Sequence, residues 1–171
     1  MVKLYNLTTF DIMAELAFGE PLGLLASSSY SEWVGNIFGN LKANAFAQKA
    51  SELHFAHAIE RVNRRINTTT EETDIWNLVL RQPDSRQITK GGVYTNSSLF
   101  MVAGSETTAT ILSGVTYLLL KNPNKLARLV TEIRQVESEK DLTIRRLSKM
   151  TYLTAVLNEA LKWYPPVPVG V

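Results

Sequence analysis

Polar residues interrupt a long apolar run near the middle of the sequence. The segment FMVAGSETTAT, residues 100–110, places Glu106 beside Thr107, and Ala103 and Gly104 precede them. A carboxylate that is buried without a partner costs several kcal/mol or takes up a proton. An acid next to an alcohol can relay a proton from water to a bound group, and glycine lets a flat ligand or another backbone come close. We therefore predict a proton-relay site here. The alternative is a helix-packing notch in which Glu106 pairs with a buried base.

A second pair of charged residues lies near the end of the sequence. In NEALKWYPPVP, residues 158–168, Glu159 and Lys162 are three positions apart, so they share one helical face and can pair. An exposed pair of this kind contributes only a few tenths of a kcal/mol. The spacing alone therefore indicates no more than a surface ion pair. Its position is more informative, because Glu159 follows Glu106 by 53 residues and Tyr-Pro-Pro comes shortly after it.

The two histidines are the remaining candidates for a metal site. His54 and His57 are three apart, a spacing that can place two imidazoles near one metal ion. Glu60 is six positions from His54 and lies well off that face of a helix. An ordinary polar edge is the favoured interpretation, so we predict no metal site. Cysteine is absent, which excludes thiolate nucleophiles and cysteine-ligated metals within these 171 residues.

Apolar positions recur at helical spacing through most of the chain and predict an all-α fold. A first helix through IMAELAF should end at Gly19. The segment LHFAHAIERVNRRI should form a helix with its apolar stripe towards the core and its arginines, including Arg65, on the opposite side. That stripe consists of Phe55, Ala58, Ile59, Val62 and Ile66. Asp74 is a candidate cap for the next helix. The long central helix should run from about 94 to 121, with Asn122 capping its successor.

Length and composition indicate a single globular domain over residues 1–171. Hydrophobic residues make up 45% of the chain, enough for a sizeable core. The net charge of +2 and the lack of interleaved aromatic residues in the basic cluster 61–65 argue against a nucleic-acid partner. No apolar run approaches the roughly 18 residues of a membrane span, so we predict no transmembrane segment. The polar stretch 81–92 is the clearest surface connection, and the terminal VPVGV could open a strand.

The two polar motifs, in this order and at this separation, resemble those of the haem-thiolate monooxygenases, the cytochrome P-450 superfamily. AGSETT looks like that family's oxygen-binding segment, whose pattern is Ala/Gly-Gly-x-Asp/Glu-Thr-Thr/Ser. NEALKWYPPVP looks like the family's Glu-x-x-Arg helix and the proline-rich turn behind it. The segments YNLTTFDIMAELAFGEPLGLL and FAHAIERVNRRI are similar to members from filamentous-fungal secondary metabolism. The resemblance covers nearly all of the chain and implies a partial, incomplete P-450 helical fold.

The resemblance assigns roles to the residues that match the family's motifs. Ala103 and Gly104 would form the groove over the haem where dioxygen binds, and Glu106 and Thr107 would deliver protons for catalysis. The implied reaction is the hydroxylation or oxidation of an apolar small molecule by O2, with haem as cofactor and electrons from an NADPH-dependent reductase. The family is anchored to the endoplasmic-reticulum membrane and faces the cytoplasm.

Three departures from the family pattern limit what the resemblance implies. Lys162 stands where the family has arginine in the structural pair with Glu159, and a lysine cannot form the planar, bidentate contact of a guanidinium. The chain is shorter than its relatives between Ala50 and His54. These residues do not include the amino-terminal anchor or the cysteine loop, whose cysteine ligates the iron in the family. We therefore expect an internal fragment that is inactive alone, without an axial cysteine for the metal, and cytoplasmic or peripheral to a membrane. The alternatives are a non-catalytic helical binding protein derived from a monooxygenase and a piece of a mis-split gene.

Overall fold

The computed structural model describes residues 1–40, 47–68, 74–80 and 88–167. The described residues form helices and no β-strand, which confirms the predicted all-α fold. The α-helices are α1 Val2–Phe18, α2 Leu24–Ser27, α3 Glu32–Asn40, α4 Ala47–Ile66, α5 Ile75–Leu80, α6 Lys90–Leu120, α7 Pro123–Ile133, α8 Ile144–Leu147 and α9 Thr151–Trp163. One turn of 3₁₀ helix covers Glu139–Asp141. Most of the predicted connection 81–92 and of the predicted strand VPVGV lies outside the described residues.

The chain divides into two compact units, Met1–Glu106 and Thr107–Val171. The division falls inside α6, so the first part of this helix belongs to one unit and the remainder to the other. The single domain over residues 1–171 stays a prediction.

The first unit has an aromatic-rich core built around α1. This helix begins at Val2, ten residues before the IMAELAF segment in which it was predicted, and it ends at Gly19 as predicted. Gly19 adopts φ 70°, a left-handed conformation that glycine tolerates best, and its N–H donates to the Glu15 carbonyl at 2.8 Å. The largest fully buried side chains of this core are Phe10, Phe18, Leu24, Val34, Val62, Trp76, Val93 and Met101.

The predicted orientation of α4 is wrong in part. Ala58 and Val62 are fully buried as expected, but Phe55 and Ile66 from the same stripe are 38% and 36% exposed. Arg65, expected on the opposite, solvated side, is buried instead. Its guanidinium contacts both carboxylate oxygens of Asp74, through Nε and through Nη2. Two parallel charge-assisted bonds satisfy both ions, which is how an arginine is accommodated in a core.

The same aspartate confirms the predicted start of α5. The backbone N–H of Asn77 donates to Asp74 Oδ1 at 2.7 Å, so Asp74 caps the helix that begins at Ile75. Asp74 thus holds α5 to α4 while its charge is balanced by Arg65.

The long central helix α6 covers Lys90–Leu120, whereas the prediction was about 94–121. Its 31 residues correspond to a length of about 46 Å at 1.5 Å per residue. The helix begins earlier because the two glycines at 91 and 92 are helical here. Thr89 accepts a hydrogen bond from the N–H of Gly92 at 3.2 Å, which is the contact of an N-cap side chain.

In the second unit, α7 holds the start of α9. Helix α7 begins at Pro123 as predicted, although the amide of Asn122 donates back to the Leu118 carbonyl rather than capping α7. The carboxylate of Glu132 accepts the backbone N–H groups of Tyr152 and Leu153 at 2.9 and 2.8 Å. A carboxylate at this position satisfies donors that a helix leaves unpaired at its N-terminus.

Candidate functional site

The predicted proton-relay segment forms a continuous part of α6. Ala103 is exposed and Thr107 is half-buried, and these two residues lie four apart on one helical face. Ser105 is fully buried. This segment therefore turns Ser105 inwards and leaves small or short side chains on the side that carries Ala103.

The side chain of Met13 from α1 occupies the space beside Gly104. A Cβ added at Gly104 would lie 2.6 Å from both Cε and Sδ of Met13 and 3.1 Å from its Cγ. The missing side chain therefore admits Met13, as the packing-notch alternative anticipates, and the structure does not show an opening for a flat ligand on this side of Gly104. Contact with the haem stays a prediction for both Gly104 and Ala103.

Glu106 is half-buried, and the desolvation that follows from this burial raises its pKa. Within the described ranges it forms no ion pair, so the alternative of a buried basic partner finds no support. A carboxyl group with a raised pKa holds a proton at higher pH than an ordinary glutamate, which favours the protonated form that a proton donor needs.

Two buried hydroxyls on α6 were missed by the sequence reasoning. Ser97 and Ser105 are both fully buried, and neither Oγ has a hydrogen-bond partner in the part of the chain that the structure describes. They are eight positions apart and so lie on the same side of the helix. Small polar residues at this spacing in an apolar helix are the signal that could have identified them.

Near the end of α9, Glu159 contacts Trp163. Glu159 Oε1 accepts a hydrogen bond from Trp163 Nε1 at 2.6 Å, and no ion pair between Glu159 and Lys162 occurs among the described residues. All three side chains are exposed. Glu159 and Trp163 also line a cavity of about 380 Å³ in the second unit. The structural pairing of Glu159 with Lys162 stays a prediction.

His54 and His57 both contact Trp33 of α3. Trp33 Nε1 donates to His54 Nδ1 at 2.9 Å, and the ring centroid of Trp33 lies 5.6 Å from that of His54 and 5.4 Å from that of His57. The structure groups no three histidine, aspartate or glutamate residues closely enough for a metal ion within its described ranges. The histidines therefore belong to an aromatic cluster, which sequence spacing did not reveal.

None of the helices in the described ranges combines the length and the apolar character that crossing a membrane requires.

Two features of this helical chain are those of a haem monooxygenase segment. The longest helix carries an acid–alcohol pair, and a later helix carries Glu159 and ends before two prolines. Residues 33–171 match the family model described as cytochrome P-450, and the chain belongs to this family. The resemblance inferred from the two motifs is therefore confirmed.

Known relatives and solved structures agree with this assignment. The chain is 51% identical over 191 residues to the cytochrome P-450 monooxygenase FUM2 of Gibberella moniliformis, an alignment that covers 99% of this chain and 41% of the relative. It is 38% identical over 189 residues to averantin hydroxylase of Aspergillus parasiticus, which covers 96% of this chain and 38% of that protein. A cyanobacterial protein solved with retinoic acid bound superposes with a TM-score of 0.76 at 23% identity, covering 98% of this chain and 40% of that one.

These comparisons confirm the filamentous-fungal type and the partial P-450 helical fold, and they place the chain in a haem-dependent family that uses redox partners and small-molecule substrates. The chain spans about 40% of the length of the proteins that it matches. The FUM2 alignment is 20 positions longer than the chain of 171 residues, which agrees with a chain shortened relative to its relatives. The location of that shortening at 50–54 stays a prediction, and α4 runs through these residues without a break.

Proposed function

We propose that the chain is part of a monooxygenase of fungal biosynthesis that inserts one oxygen atom from O2 into an apolar small molecule. The observation that carries this proposal is the state of Glu106, half-buried, without an ion pair in the described ranges, and with a pKa raised by desolvation. A proton donor beside an alcohol gives this partly desolvated carboxyl group a chemical role.

The haem fits one side of the segment better than the other. Ala103 presents a small, exposed side chain that a flat macrocycle can approach, and Thr107 lies one turn further on the same face. Gly104 contributes by leaving room for the side chain of Met13 from α1. When bound, haem supplies the iron at which dioxygen is reduced. The residues of this chain predicted to hold it are Ala103 and Gly104, and Ala103 has the exposed side chain of the two.

The proton delivery rests on the order of the two polar side chains. Glu106 keeps its proton to higher pH than an ordinary glutamate because its burial disfavours the charged form. Thr107, the next residue, carries a hydroxyl that both accepts and donates. Glu106 would take up protons from water and pass them to the Thr107 hydroxyl, on the face that carries Ala103.

Glu159, in the motif on α9, would stabilise the protein structure around the haem. In the proposal Lys162 provides the positive charge that arginine provides in the family. Lysine supplies a single charged group rather than a planar fork. The Trp163 indole adds a donor to Glu159 that the family motif does not include.

The remaining requirements come from outside these residues. No cysteine is present among the 171, so the thiolate ligand of the iron must be supplied by another segment of polypeptide. We propose electrons from an NADPH-dependent reductase, an apolar small molecule as substrate, and a location at the cytoplasmic face of the endoplasmic reticulum, with this segment itself cytoplasmic or peripheral to the membrane.

The test uses the natural gene product that contains these 171 residues, expressed from its coding sequence and loaded with haem. Glu106→Gln and Thr107→Val should each lower product formation by about 10- to 100-fold, because each removes a group that transfers a proton. Haem content should stay unchanged. Thr108→Val, a change at the exposed neighbour, is the matched control and should leave product formation unaffected.

Product formation by Glu106→Gln equal to that of the natural protein would contradict the proposed relay. A gene product that unfolds sharply, binds no haem and turns over no apolar substrate would instead support the non-catalytic binding protein.

A further inference from the structure

Both ring nitrogens of His54 in α4 have partners on other helices. Trp33 Nε1 of α3 donates to Nδ1 at 2.9 Å, and Nε2 lies 3.1 Å from the carbonyl oxygen of Ser98 in α6. An indole N–H can only donate and a carbonyl can only accept. Nδ1 therefore accepts, Nε2 carries the proton, and the imidazole is neutral.

The surroundings favour this neutral ring. Burial is the main cause that lowers the pKa of His54; the bond to the Ser98 carbonyl raises it in part, and charge repulsion from His57 lowers it further. Among the described residues, the titratable or charged groups that line a cavity of about 320 Å³ with His54 are His57 and Arg61 from α4 and Glu32 from α3. Helix α6 contributes the Ser98 carbonyl.

Trp33 is held in the orientation that this bond needs. It is only 5% exposed, and the guanidinium of Arg61 lies 5.4 Å from the centroid of its ring. Because the indole is fixed, its N–H points at a single acceptor. A second proton on Nδ1 would set two donors against each other, so this bond would be lost while Nε2 continued to donate to Ser98.

We propose that His54, as a neutral imidazole protonated on Nε2, is a positioning residue that joins α3 to α6 at Ser98 and so fixes the part of α6 that carries Ala103 and Gly104. A second proton, on Nδ1, breaks the link to α3. The inference rests on the proposed function of that α6 segment and names a residue that positions it. Its test needs no haem, so its outcome is separate from that of the proposed function.

The direction of the pH effect follows from linkage. A histidine whose pKa is lower in the folded than in the unfolded chain stabilises the fold above the unfolded value of 6.5. That contribution is lost as the pH falls from 6.5 through the lower folded value. The Trp33–His54 bond should break in the same window.

The experiment records the indole N–H resonances of the full 171-residue chain by NMR while the pH is lowered from about 8 to about 5, around the ordinary histidine pKa. Trp33→Phe identifies the Trp33 signal. We expect this signal to shift below pH 6.5 in the natural chain and in His57→Gln, the matched control that keeps the hydrogen-bonded pair. In His54→Gln it should not shift, because an amide can accept from Trp33 and donate to Ser98 without titrating.

A second measurement separates positioning from mere packing. His54→Leu keeps apolar volume but removes both hydrogen bonds, so backbone amides of α6 between 98 and 104 should exchange with solvent about fivefold faster for each bond lost. The proposal is overturned by a Trp33 signal that ignores pH in the natural chain, by one that titrates in His54→Gln, or by unchanged α6 exchange in His54→Leu. Indole signals that coincide at pH 8, as in an unfolded chain, overturn it as well.

Discussion

The polar segment of α6 and the charged end of α9 carry the two family motifs, yet they differ in what surrounds them. On α6, Met13 fills the space beside Gly104, Ser105 is fully buried and Glu106 is half-buried. The desolvation at Glu106 is sufficient to raise its pKa. Side chains within the described part of the chain thus determine the environment of this segment.

At the end of α9, Glu159 and Lys162 remain exposed, and Trp163, the partner of Glu159, is 70% exposed. Solvent screens the charges there, so the geometry of the pair is weakly determined. The surroundings of a helical site can thus be fixed by side chains that pack against it, whereas an ion pair on an exposed helix face is not fixed by its own residues.

The largest effect should follow from removing Met13. Met13→Ala deletes the side chain that occupies the Gly104 notch, and because Met13 is half-buried we expect a loss of about 1–2 kcal/mol in the free energy of unfolding. Urea unfolding followed by circular dichroism measures it. Ile12→Ala, at a neighbour that is 50% exposed, should cost much less, and equal costs for the two variants would show that the notch contact is unimportant.

Replacing each of two glycines of α6 by alanine tests whether the contact with Met13 affects stability. Nothing lies within 4 Å of a Cβ built at Gly91, so Gly91→Ala should stabilise the helix by about 0.5–1 kcal/mol. Gly104→Ala should fall short of that gain by about 1–2 kcal/mol, because Met13 must move. Combining Gly104→Ala with Met13→Ala should remove the shortfall in the same unfolding assay. A shortfall that persists in the double variant would exclude Met13 as its cause.

The desolvation of Glu106 should have a smaller, pH-dependent effect on the free energy of unfolding. The raised pKa means that folded Glu106 binds more protons than the unfolded chain, so stability falls as the pH rises from 4.5 through the folded value. Glu106→Gln should lack this loss and be more stable than the natural chain at pH 7 by about 0.5 kcal/mol or less. Thermal unfolding at pH 4 and pH 7 compares the two, and Glu137→Gln controls for the change in net charge. Equal pH dependence in the natural chain and in Glu106→Gln would contradict the desolvation.

The exposed motif should respond least. Trp163→Phe removes the donor to Glu159 and keeps the aromatic ring, and we expect a change below about 0.5 kcal/mol because both side chains are exposed. The unfolding assay used for Met13→Ala measures this too. A larger loss would mean that the α9 motif is fixed as firmly as the segment on α6.

Several features determined by neighbours in the sequence were predicted correctly. Gly19 determines the end of α1, Pro123 determines the start of α7, and Asp74 caps α5. Each of these residues acts on the backbone within one turn. The start of α6 was misplaced because two consecutive glycines usually indicate a loop. Here they continue the helix beyond the Thr89 cap.

Features determined by tertiary contact were not predictable from the pattern of the sequence. The burial of Arg65 depends on Asp74 in another element, and Met13 meets Gly104 across 91 positions. The motif itself identified the α6 segment as a candidate site. The sequence did not indicate which face of this segment Met13 would contact, and only the structure shows it.

We propose that these residues carry the oxygen-binding segment of a haem-thiolate enzyme, although they include no cysteine to ligate the iron. The most direct test adds haem to the purified 171-residue chain, reduces it and records the carbon-monoxide difference spectrum. We expect no thiolate-type Soret band, since the 171 residues contain no cysteine. The appearance of that band from the 171 residues alone would contradict it.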